Sequence, residues 1–155
     1  GNISIAGTRG WFFDAEKENV DKIMSRECAR LQRSIDEAKK LGGETVVFLH
    51  YPPVSITKDC EPIFEVLKKN EIKRCYYGHL HGGVFEKTFE VLNEENGVYS
   101  LSVPGYRKPN NFGITDLGVG YIGEVYDDKI IFKARNFVEG KNIDSEFAEY
   151  TINLK

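Results

Sequence analysis

Two short β-prone stretches, Thr45 to Leu49 and Ile72 to Tyr77, limit what this chain can become more than any other feature. The first is a continuous apolar run, which suits a strand buried on both faces; the second closes on the apolar Cys75-Tyr76-Tyr77 and reads as the next buried strand. Between them the sequence predicts a helix that begins at Asp59 or Cys60 and carries Pro62 in its first turn. Ile63, Phe64, Val66 and Leu67 form its core face, and Lys68-Lys69-Asn70 ends it. Residues 45–79 therefore read strand, helix, strand: a βαβ unit with a right-handed crossover and two parallel strands.

Both runs finish the same way. The first ends in His50 and passes into Tyr51-Pro52-Pro53; the second ends at Gly78-His79 and passes into Leu80-His81-Gly82. The chain contains 3 histidines, and all of them fall at these two strand ends. Ligands of open α/β sheets collect at the carboxyl edge of parallel strands. Imidazole is the commonest metal ligand near neutral pH. Glycines flanking His79 and His81 let the backbone turn sharply, and Pro52-Pro53 stiffens the loop after His50. A single strand-end histidine is usually a hydrogen-bonded structural residue. Three converging on one edge make a metal site the better reading, so His50, His79 and His81 are the candidate ligands.

Elsewhere the pattern changes along the chain. Ile3 to Ala6 is a short alternating strand followed by the turn Gly7-Thr8-Arg9-Gly10-Trp11. Arg9, between glycines at a strand end, could clamp an anion bidentately or stand as a solvated loop charge. Asn19 to Leu41 is predicted as a helix capped by Asn19 and stopped by Gly42-Gly43. Its apolar stripe is Val20, Ile23, Met24, Leu31, Ile35, Ala38 and Leu41. Its basic residues alternate with acids, which reads as a solvated face. Val84 to Glu94 fits helix and strand equally. Tyr99 to Val103 is a strand, Pro109 to Gly120 a long loop, and Tyr121 to Tyr126 with Lys129 to Phe137 a hairpin around Asp127-Asp128. Ala148 to Leu154 is a last alternating strand. The expected class is α/β to α+β: a βαβ-containing sheet followed by a mostly antiparallel one, in a single domain over 1–155. Trp11, Phe12, Phe112 and Phe132 are expected in core or loop packing.

Composition excludes some functions. With net charge −3 there is no basic surplus to neutralise a nucleic-acid backbone, so non-specific binding to DNA or RNA is not expected. No apolar stretch reaches the length of a membrane span, and no membrane partner is expected. Cys28, Cys60 and Cys75 are scattered without a Cys-x-x-Cys spacing, which argues against a disulfide framework or thiolate zinc site and points to a reduced, cytoplasmic setting.

The pairing of His50-Tyr51-Pro52-Pro53 with Gly78-His79-Leu80-His81 resembles the C-terminal half of the calcineurin-like metallophosphoesterases. Thr8-Arg9-Gly10-Trp11 is also similar to some bacterial members. The motif-bearing likeness covers residues 45–83. It implies a four-layer αββα sandwich and two divalent metal ions (manganese, iron, zinc or nickel). His50 and His79 would then be ligands of one ion and His81 of the other. It further implies hydrolysis of a phosphomonoester or phosphodiester by a metal-bridging hydroxide, without a phosphoenzyme. Arg9, Tyr51, Tyr106 and Arg107 become candidate contacts to substrate phosphate. The family's Asp-x-His, Gly-Asp-x-x-Asp and Gly-Asn-His motifs are absent from this sequence, and Asp59 and Asp116 read as turn or cap residues. Residues 1–155 are therefore expected to be the C-terminal portion of such a domain, inactive alone, with the missing half or a second copy as partner. Two rivals stand beside this reading: a mononuclear zinc hydrolase built on three histidines, and a non-catalytic fragment that self-associates through an uncovered sheet edge.

Overall fold

The computed structural model describes residues 3–11, 18–53, 61–80, 84, 91–104 and 118–153. Within them the chain forms two compact units, one of residues 1–79 with 93–101 and the other of residues 80–92 with 102–155. The fold is mixed α/β, with a parallel sheet core and a separate antiparallel sheet.

The first unit is built on strands β1 (Ile3–Thr8), β2 (Glu44–Leu49) and β3 (Arg74–Tyr77), which run parallel with Ile3 opposite Glu44 and Val46 opposite Arg74. A hairpin of β4 (Leu92–Glu95) and β5 (Val98–Ser102) extends the sheet in the order β1-β2-β3-β5-β4. The turn between the hairpin strands is Asn96-Gly97, both at positive φ (51° and 77°). Two left-handed residues give a backbone twist that matches the twist of the strands they join. Of the segment Val84 to Glu94 that periodicity leaves open, residues 92–94 are strand, while residues 85–90 lie outside the described residues.

Helix α1 (Val20–Lys40) packs on β1 and β2 and against helix α2 (Glu61–Lys69). Its buried residues are Val20, Met24, Glu27, Leu31, Ile35 and Ala38, a spacing of three and four that places one stripe on the sheet. Two expectations for α1 fail. Leu41 is 78% exposed at the helix end rather than in the stripe. Asn19 stands at the N-cap position in the left-handed region (φ 63°), and its side chain makes no capping bond. The expected start of α2 at Asp59 or Cys60 lies outside the described residues; its end agrees with expectation. Asn70, just past that end, ties the two helices together. Its amide exchanges hydrogen bonds with Gln32 (2.8 and 3.1 Å) and donates to the Val66 carbonyl (2.9 Å), while the Lys39 ammonium donates to its backbone carbonyl (3.0 Å).

In the strands Ser4, Ala6, Thr45, Val47, Leu49, Cys75 and Tyr77 are buried. On the alternate face of the same strands Val46 is buried, but Ile3, Ile5 and Phe48 are exposed by 50, 68 and 47%, so the expected burial of β2 on both faces holds at Val46 and fails at Phe48. Arg74, buried at the start of β3, is paired with Glu44 at the start of β2, on the edge of the sheet opposite the histidines.

The second unit holds β6 (Val119–Val125), β7 (Lys129–Asn136), β8 (Lys141–Asn142) and β9 (Glu149–Asn153). β7 is central, antiparallel to the other three. Alternation along β7 puts Ile130, Phe132 and Ala134 on a buried face, where Val84, Val119 and Ala148 join Ala134 in one cluster. The opposite face carries the Lys133–Glu124 ion pair. The hairpin forms around Asp127-Asp128 as expected, with its first strand starting two residues earlier and each strand ending one residue earlier; β8 is too short to leave a periodic signal. Among the described residues no helix is long and apolar enough to cross a membrane.

Candidate functional site

Register decides what meets at the carboxyl edge of the parallel strands. Thr8, Leu49 and Tyr77 lie side by side as the last residues of β1, β2 and β3. The next residues are Arg9, His50 and Gly78. Two hydrogen bonds carry the pairing past the strand ends: the Arg9 carbonyl accepts from the His50 and Tyr51 amides at 3.0 and 3.1 Å, and the Gly78 amide donates to the Leu49 carbonyl at 3.3 Å. The backbone that bears His50 is therefore held on both sides.

His79 follows Gly78 in the left-handed region, at φ 69°. Few non-glycine residues sit there, and those that do are often held for function. The turn brings Nδ1 of His79 within 3.3 Å of Nε2 of His50. The rings meet nearly edge to face, with centroids 5.2 Å apart and planes at 75°. Tyr51 touches both, at 4.8 Å from His50 and 4.5 Å from His79. Buried Trp11 lies edge-on against Tyr51 at 5.6 Å.

The gap between the two nitrogens has a chemical meaning. With one ring nitrogen protonated, it is a hydrogen bond. It also matches joint ligation. Two imidazole nitrogens about 2.05 Å from one tetrahedral ion stand roughly 3.3 Å apart. The residues present thus fit two corners of a metal's coordination sphere.

The expected site is only partly within view. His50 and His79 come together. His81, Tyr106 and Arg107 lie outside the described residues, as do Asp59 and Asp116. Among the described residues no group of three or more histidine, cysteine or acidic side chains is gathered to hold an ion. Arg9 is exposed, yet not simply solvated: its guanidinium carbon lies 4.4 Å from the Trp11 ring centroid and 5.7 Å from that of Tyr51. Cys75 is fully buried, which pushes its thiol above the ordinary range and suits packing rather than ligation.

Glu27 escaped the sequence reading. It occupies a core-facing position of α1, and its carboxylate accepts from Thr8 Oγ1 at 2.7 Å and from Arg30 Nη1 at 2.8 Å. It thereby fixes the end of β1 one residue before Arg9. The available signal was its place in the apolar stripe, between Met24 and Leu31.

No protein-family model matches this chain, and no curated protein matches it. Among solved structures it is similar to wild-type Vps29 from Entamoeba histolytica complexed with zinc, at 14% identity over 99% of each chain and a TM-score of 0.39. Likeness of that size carries no argument about the site.

Proposed function

We propose that His50 and His79 are two ligands of one divalent metal ion in a phosphoesterase-type site, with His81 as a ligand of a second ion and a calcineurin-like fold around them. The observation that carries this is the 3.3 Å approach of the two imidazole nitrogens at the carboxyl edge of adjacent parallel strands. The left-handed backbone of His79 supports it, because that conformation is costly and serves to turn the ring toward His50. The resemblance carried by His50-Tyr51-Pro52-Pro53 and Gly78-His79-Leu80-His81 supplies the reaction class, hydrolysis of a phosphomonoester or phosphodiester.

When bound, a manganese, iron, zinc or nickel ion supplies a Lewis acid for phosphoryl oxygen and a more acidic water. The chain's own part is to hold and orient. His50 and His79 present neutral nitrogens on a backbone fixed by the Arg9 carbonyl, and Tyr51 walls both rings. Arg9 and Arg107 are proposed contacts to substrate phosphate. Neutral imidazoles bring no negative charge, so this chain alone binds such ions weakly and turns over no phosphoester.

Equilibrium dialysis against zinc and manganese tests the ligands. Wild type retains the ion, and His50→Ala or His79→Ala each weakens retention about tenfold or more. Retention equal to wild type in both variants would remove the reading. Hydrolysis of an aryl phosphate by the pure chain with manganese would contradict the stated inactivity.

A further inference from the structure

We infer that Arg9 is a preorganised oxyanion receptor, held by the faces of Trp11 and Tyr51, that binds a phosphoryl group without any metal ion. This deepens the reading above by giving that site a second, metal-independent hold on its substrate, and it rests on that reading only for the substrate's identity. The guanidinium stands 4.4 Å from the centre of the Trp11 ring and 5.7 Å from that of Tyr51. A guanidinium held over aromatic rings in this way is attracted by their π faces and can still present N–H donors to a ligand. Among the described residues no carboxylate or carbonyl accepts a hydrogen bond from that edge. The buried carboxylate at the end of β1, Glu27, is engaged by Thr8 and Arg30 and does not neutralise Arg9.

Three further features fix the arrangement. The Arg9 carbonyl is bonded to two amides of the next strand, so the main chain under the side chain is pinned. Gly10, at φ 71°, turns the chain so that Trp11 comes back over it. Trp11 is 92% buried, so the platform itself is held in place. An exposed arginine ordinarily loses rotamer freedom when it binds; one already stacked loses less. Tyr51 is the wall common to Arg9 and the imidazole pair, which places the receptor beside the candidate metal ligands. The ligand class is a tetrahedral oxyanion with at least two charged oxygens in one plane, able to take two parallel N–H···O bonds from the fork.

The full chain, stripped of metal with a chelator, is titrated with inorganic phosphate at constant ionic strength. Binding is read by the 31P line width and by the emission of Trp11, the single tryptophan of the chain. Wild type should bind saturably. Arg9→Lys keeps the charge but loses the planar fork, and should weaken binding about tenfold by 31P. Trp11→Phe keeps an aromatic face and should stay within about threefold of wild type, while Trp11→Leu falls with Arg9→Lys. No saturable binding in metal-free wild type, or equal binding by Arg9→Lys, overturns the inference. Manganese titration of wild type separates the two readings: phosphate binding without any manganese at the imidazoles keeps the receptor and removes the metal ligands. Manganese binding without metal-free phosphate binding does the reverse.

Discussion

Replacing Gly7 by alanine tests whether the end of β1 sets the geometry of the site. Gly7 lies opposite Phe48, and a Cβ built on it would stand 2.3 Å from the Phe48 carbonyl oxygen. That oxygen is backbone, so no side-chain rotation relieves the clash. Reaching the 3.0 Å below which real Cβ contacts are essentially never found requires a shift of at least 0.7 Å between β1 and β2. Two residues further on, the Arg9 carbonyl bonds the His50 and Tyr51 amides at 3.0 and 3.1 Å. The same shift would stretch both beyond hydrogen-bonding distance. Two such bonds contribute about 1–3 kcal/mol net, and forced repacking adds about 1–3. Loss of glycine's freedom in the unfolded chain offsets about 0.4–1 kcal/mol. The expected cost is therefore about 1–5 kcal/mol. Urea unfolding followed by Trp11 emission measures it. Gly42→Ala is the comparison, since a Cβ there meets nothing within 4 Å and only its φ of 76° is strained, which costs about 1–2 kcal/mol. If Gly7→Ala unfolds at the same urea concentration as wild type, the close approach is not what positions His50.

Asn70→Ala removes the bonds that join Gln32 to the end of α2 and should lower stability by about 2–4 kcal/mol in the same assay; a change under about 0.5 would show that the clamp is idle. Stability should also fall at alkaline pH. Burial raises Tyr76 from an ordinary 10.0 to about 12 and also pushes the Cys75 thiol up from its ordinary 9.0, so from about pH 9 to pH 12 the unfolded chain has released protons that the folded chain still holds. Tyr76→Phe should flatten the part of that decline above pH 10, and an unaltered curve would contradict the assignment.

The parts of the fold that local sequence encodes were legible. The apolar run at Thr45 to Leu49 and the stretch ending in Cys75-Tyr76-Tyr77 specify strands, though Phe48 stays exposed, and the helix between them makes those strands parallel neighbours. The meeting of His50 and His79 follows from that pairing, since both lie just past strand ends in register. The Asn96-Gly97 turn was legible in principle, because that dipeptide is the strongest short hairpin signal. Its first strand hid it: Leu92–Glu95 contains two glutamates and little β propensity, as suits an edge strand. The core-facing position of Glu27 was legible from its place in the apolar stripe, but its partner was not, and neither were the rings beside Arg9. Glu27 accepts from Thr8, 19 residues away, and Arg9 lies over Tyr51, which follows the neighbouring strand; neither contact leaves a periodic trace. Leu41 fits the helical stripe by spacing, but α1 ends at Lys40 and the residue turns outward.

The central claim is that one ion sits between Nε2 of His50 and Nδ1 of His79. Nitrogen-15 spectra of histidine-labelled chain during a zinc titration address those atoms directly. Both resonances should move together, with one midpoint and one stoichiometry, while the other nitrogen of each ring keeps its proton. Separate midpoints, or zinc shifting one ring and leaving the other unchanged, would contradict shared ligation.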